Sequence, residues 1–191
     1  MSWTTGTQAE AISINSQNGS AQNTFTSAQA IGPTTGAAYL PANFFQSSLG
    51  VGKGLLVKAH GVLSTTGTPN FTLGVSFNTT QGTYNSGAVI ATTPATAMPS
   101  SVTNVPWELE VVIVCTATGG SGSFLSDGIF KLYGSGTSLV AARCSSSTAN
   151  PNTGVTVSTE SAYYAELVGT WSASSSSNSV TVYAVTVLGL N

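Results

Sequence analysis

Residues 106–117, PWELEVVIVCTA, alternate with the two-residue period of a β-strand. Trp107, Leu109, Val111, Ile113, Cys115 and Ala117 fall on one face, and Glu108, Glu110, Val112, Val114 and Thr116 on the other. The first face is wholly apolar. The second begins charged and turns aliphatic, which predicts a strand that starts at a solvated rim and ends covered on both sides. This is the longest β-branched run in the chain, and the other strand-like segments read as packing against it.

Period-two segments recur along the sequence. Residues 55–63 place Leu55, Val57, Ala59 and Leu63 inward, with Lys58 and His60 outward. Residues 71–78 set Phe71, Leu73, Val75 and Phe77 against Thr72, Gly74, Ser76 and Asn78, predicting a half-exposed antiparallel strand. A short strand at 87–91 precedes a connection at 94–106, where Pro94, Pro99 and Pro106 lead into the central run. After a glycine-rich turn at 119–122, residues 123–133 set Phe124, Phe130 and Leu132 against Asp127 and Lys131. Further strands are expected at 138–144 and 154–158. Residues 163–171 set Tyr163, Ala165, Leu167 and Trp171 against Tyr164, Glu166 and Thr170. The last run, 179–190, is apolar on both faces, so sheet should cover one side and another body, such as a second subunit, the other.

No stretch keeps a 3.6-residue apolar period beyond two turns. The expected fold is therefore all-β: an antiparallel β-sandwich, a jelly roll in preference to an immunoglobulin-like arrangement, with an extended N-terminal arm. At 191 residues the chain suffices for one good core. Residues 1–50 are rich in Gln, Asn, Ser, Thr, Gly and Ala, with small apolar islands, and cannot bury enough surface to fold alone. They are expected to be an arm or short peripheral strands on the main body or a neighbouring subunit; residues 51–191 form the jelly-roll domain.

Only 5% of the residues are charged, against about 25% in an ordinary soluble domain. Neutral polar surfaces repel one another weakly, so closed edges and self-association are expected to keep such a chain in solution. With a net charge of -2 and only Lys53, Lys58, Lys131 and Arg143 as cations, unclustered, nucleic acid is not an expected partner. The first residues, MSWTTGTQAEAIS, lack the basic and apolar regions of a signal peptide, and no apolar window is long enough for a membrane span. Synthesis in a cytosol is the simplest expectation. Cys115 and Cys144 read as buried thiols.

The chemistry-bearing residues are few. Glu108 and Glu110 share one strand face about 7 Å apart, whereas a retaining glycosidase holds its carboxyls about 5 Å apart. They read as a solvated rim, and Asp127 is the sole aspartate. His60 shares its face with Lys58 and has no G-x-S-x-G serine to serve, so it reads as a surface histidine. Two cysteines and one histidine do not make a structural zinc site, and no acidic loop suits calcium. The sequons at Asn18, Asn70 and Asn78 are expected to be unused without a secretory signal. No catalytic residue, metal site or cofactor site is assigned.

The order of a glycine-rich turn, SFLSDGIFKLYGSG, a TVST segment and YYAELVGTWSASSSSNSVTVYAVTVLGLN resembles the C-terminal half of jelly-roll structural proteins of tailed bacteriophages. In that group a strand ending in Trp-Ser is followed by a Ser/Asn turn and a long final strand. The matching positions are Trp171-Ser172, residues 174–178, and Asn178-Ser179-Val180-Thr181. The resemblance covers roughly residues 105–191 and does not extend to residues 1–50. It implies a virion component, a head decoration protein, head fibre or minor tail protein, often a homotrimer. The leading expectation is a non-enzymatic decoration protein that binds the major capsid protein and stabilises the head shell. The alternative is a tail or fibre module that binds a receptor or carbohydrate through Trp, Tyr and Asn on its loops, against which Trp3, Trp107 and Trp171 read as core or arm positions rather than exposed platforms.

Overall fold

A computed structural model describes residues 10–16, 19–32, 37–46, 53–82, 84, 87–134, 139–150 and 152–190. Trp3, the Asn18 sequon and residues 50–52 lie outside the described residues. The strands are β1 (Glu10–Asn15), β2 (Gln22–Asn23), β3 (Gln29–Ile31), β4 (Ala38–Leu40), β5 (Gly54–Thr65), β6 (Asn70–Asn78) and β7 (Ala88–Thr92). The series continues with β8 (Thr96–Ala97), β9 (Val102–Ala117), β10 (Ser123–Tyr133), β11 (Leu139–Ser145), β12 (Val155–Thr156), β13 (Tyr163–Trp171) and β14 (Ser179–Leu190). Among the described residues there is no helix.

The protein is all-β and antiparallel. Its main path runs β1-β14-β5-β9-β10-β11-β7-β6-β13-β3 as one hydrogen-bonded sheet, with β2, β4, β8 and β12 added alongside. The sheet curls into a half-barrel, and the two halves of the path face each other across one core. The all-β antiparallel class is as expected, and the single curled sheet is consistent with a sandwich or jelly-roll type. The join between the halves is narrow: β11 meets β7 at the single pair Ser145↔Thr92. Nearby, the Ser126 hydroxyl donates to the Ile90 carbonyl at 2.8 Å and ties β10 to β7.

The alternating inner faces fill the core. β9 contributes Trp107, Leu109, Val111, Ile113 and Cys115, all buried, and β6 contributes Phe71, Leu73, Val75 and Phe77. Phe45, Phe77 and Phe124 meet from three elements, with Phe77 edge-on to Phe124 at 5.4 Å and Phe45 edge-on to Phe124 at 4.8 Å. Such pairs add about 0.5–1.5 kcal/mol beyond the area they bury. Gly61 is required where β5 passes between β14 and β9, because a Cβ there would stand 1.9 Å from the Thr181 carbonyl oxygen.

Several expectations are corrected. The far half of β9 is not covered on both sides: Val112 is 38% exposed, and among the described residues no layer lies outside it. The 94–106 connection is shorter than expected, since β9 begins at Val102 and takes in Pro106. The β10 ladder stops at Leu132↔Trp107, so Pro106 has a ladder neighbour on one side only, in β5, where a missing N–H is tolerated. β6 is not half-exposed, because Gly74, Ser76 and Asn78 on its second face are buried as well. In the N-terminal segment the described parts form short strands, β1 and β2 pairing with β14, and β3 and β4 with β13. Phe25, Ile31, Ala38, Leu40 and Phe45 join the common core.

Candidate functional site

The residues singled out in the sequence fall mostly on the outer face of the β14-β5-β9-β10-β11 half. Glu110 pairs with Lys58 of β5 at 2.8 Å, and Glu108 with Lys131 of β10 at 2.9 Å. The two carboxylates therefore face opposite neighbouring strands, each neutralised by its own lysine. Hydrogen bonds from Tyr133 and Lys131 hold the Glu108 carboxyl below its ordinary value, and the same contacts push Lys131 and Tyr133 upward. Asp127 accepts from Arg143 Nε at 2.7 Å. His60 is exposed and lies across the ladder from Glu108. Cys115 and Cys144 are free, buried thiols, and burial pushes Cys144 up to about 12. Trp107 and Trp171 are core residues. Asn78 is 1% exposed, which removes its sequon from the surface.

The other half carries a residue that the sequence reading passed over. Glu166, on β13, is 8% exposed. Its Oε2 accepts from Asn78 Nδ2 at 2.7 Å and its Oε1 from the Gly82 N–H at 2.6 Å. Asn78 Nδ2 also donates to Ser76 Oγ at 3.1 Å, while Asn78 Oδ1 is buried with no hydrogen-bond partner. Gly82 and Gly87 of the β6–β7 connection lie against this group. At Gly87 a Cβ would stand 1.8 Å from Asn78 Oδ1 and 2.7 Å from the Phe77 carbonyl oxygen, so only glycine permits so close a cover.

Local pairing explains why this carboxylate sits at an opening. β3 pairs with β13 from Leu167↔Ile31 onward and β4 from Ala165↔Ala38, which leaves the ladder interrupted at residue 166. A cleft of about 390 Å³ opens at this place, lined among others by Glu166, Gly82, Tyr84, Gln29, Ile31 and Val185. Its walls combine aliphatic side chains with a few convergent polar groups, the usual make-up of a ligand site. The sequence places Glu166 on one strand face with Tyr164 and Val168 and carries no local sign that this face is covered. Among the described residues no cluster of three or more His, Cys, Asp or Glu side chains could hold a metal ion.

Comparison with known proteins finds no matching family model, no similar curated protein and no similar solved structure.

Proposed function

We propose that the chain is a non-enzymatic structural protein of a bacteriophage virion, a capsid decoration protein that self-associates as a homotrimer and docks on the major capsid protein. The observation that carries this reading is the outer face of the β14-β5-β9-β10-β11 half. Val112, Ile129, Tyr133 and Tyr183 stand exposed there, and the three ion pairs beside them leave the face with little net charge. A surface that combines apolar side chains with already neutralised charges loses little when it is desolvated, and suits burial against a copy or a partner. The resemblance of residues 105–191 to phage jelly-roll proteins points the same way. Trp107 and Trp171 lie in the core and offer no platform for a sugar, so the decoration reading is preferred to the tail or fibre receptor module.

Light scattering behind a sizing column, with co-sedimentation on capsid shells, tests the proposal. A trimeric mass and saturable shell binding, both lost on Val112→Glu, are expected. A monomer at every concentration that fails to bind shells overturns it.

A further inference from the structure

The chain has four cationic side chains, and each is engaged away from the cleft. Lys58, Lys131 and Arg143 pair with Glu110, Glu108 and Asp127, and Lys53 lies 4.0 Å over the Phe44 ring. Glu166 is the one buried acid among the described residues, and its polar partners, Asn78 and Gly82, are neutral. An ionised carboxylate taken from water without a counter-charge is costly. A carboxylate offers about four acceptor positions, and the described residues use two of these.

The site is also built to admit a ligand. Gly82, whose N–H binds Oε1, itself lines the cleft, so the opening reaches the carboxyl end of the side chain. Ile31, Leu167 and Val185 supply apolar wall, and Gln22 and Gln29 supply amides joined by a 3.1 Å hydrogen bond. An arginine side chain fits this arrangement. Its alkyl stem lies on apolar wall, and its planar fork of N–H donors meets a carboxylate in two parallel bonds.

We propose that the cleft at Glu166 is a receptor for an arginine side chain of a partner protein, and that the guanidinium supplies the missing counter-charge. The inference rests on the assembly reading for the source of that side chain, not for the chemistry of the cleft.

The test is an NMR titration of the full chain with N-acetyl-arginine-amide, using the neutral N-acetyl-citrulline-amide as control. A saturable shift of the Gly82 amide is expected, with the citrulline compound at least about tenfold weaker and added salt weakening the arginine response. Glu166→Gln should abolish the response. Should that variant unfold, Ala28→Trp decides, because Ala28 is an exposed lining residue whose enlargement blocks the cleft and leaves the carboxylate in place. Equal responses to the two compounds, a response surviving in folded Glu166→Gln or in Ala28→Trp, or no shift at Gly82 overturns the proposal. Binding of neutral methyl glycosides without an arginine response also overturns it and assigns the cleft to sugars. Failure of trimer formation or shell binding with the arginine response intact would overturn the assembly reading alone.

Discussion

The outer faces of the two halves follow the same two-residue period and meet opposite fates. On β5, β9 and β10 the outward positions hold Lys58, Glu108, Glu110, Asp127 and Lys131, solvated and ion-paired across the strands. On β6 and β13 the corresponding positions hold Ser76, Asn78 and Glu166, all buried. Alternation decides which side chains share a face; what lies outside the sheet decides whether that face meets water. On the first half nothing in the described chain covers the sheet, and water screens the charges. On the second half Gly82 and Gly87 of the β6–β7 connection lie over part of it, and the Glu166 carboxylate is buried there.

Four measurements break or sharpen this contrast. The largest effect is expected at the shared inner face. Cys115 and Cys144 are buried on β9 and β11, and burial holds both thiols above their ordinary value. Mildly alkaline labelling with a thiol reagent should proceed about 10³-fold or more slowly in the native protein than in denaturant. Fast labelling of either cysteine would mean that the two halves do not close over one core.

Next in size, Phe124→Ala should cost about 3–5 kcal/mol and lower the urea midpoint of both halves in one transition. Two separate transitions would show that the halves are independent.

The third measurement sets the two outer faces against each other. Glu166→Ala removes the acceptor of the Gly82 N–H and one of the two acceptors of Asn78 Nδ2, and should cost about 1–3 kcal/mol in chemical denaturation. Glu110→Ala, on the solvated face, should stay within about 1 kcal/mol. Equal costs would erase the distinction between a covered face and a bare one.

The smallest effect is a dependence on pH. The Glu108 carboxyl is lowered in the folded state by Tyr133 and then Lys131. Its contribution is therefore present above the unfolded carboxylate value and is lost as pH falls through the lower, folded one. Lys131 and Tyr133 are raised by Glu108, so their contributions hold below their unfolded values and fade as pH rises through the folded ones. Glu108→Gln should flatten both limbs of the stability profile; an unchanged acid limb would remove Glu108 from the account.

The inner faces were legible in the sequence because burial by the opposite half imposes strict alternation. Trp107 to Cys115, Phe71 to Phe77, and Phe124 with Phe130 all stand inward as read. The buried face of β6 was not legible, because Ser76 and Asn78 are chemically suited to solvent, and their cover comes from a connection whose path no local pattern reveals. Glu166 was hidden for the same reason: its environment is made by Gly82 and by the gap between β3 and β4, far from it in sequence. Pro106 misled in the opposite direction. It reads as the boundary between the 94–106 connection and the strand, but β9 begins at Val102 and accepts the proline where the ladder on one side has ended.

The lone Ser145↔Thr92 pair has a mechanical consequence. A load drawn across long ladders is shared by many hydrogen bonds, whereas one carried from β11 to β7 falls on a single rung and on the Ser126–Ile90 tether beside it. Along the sheet the two halves thus meet at a narrow seam, and the shared core of Phe45, Phe77 and Phe124 carries the rest of the connection. In the proposed decoration role, strain from a swelling surface beneath the protein would reach this seam before the long ladders on either side of it.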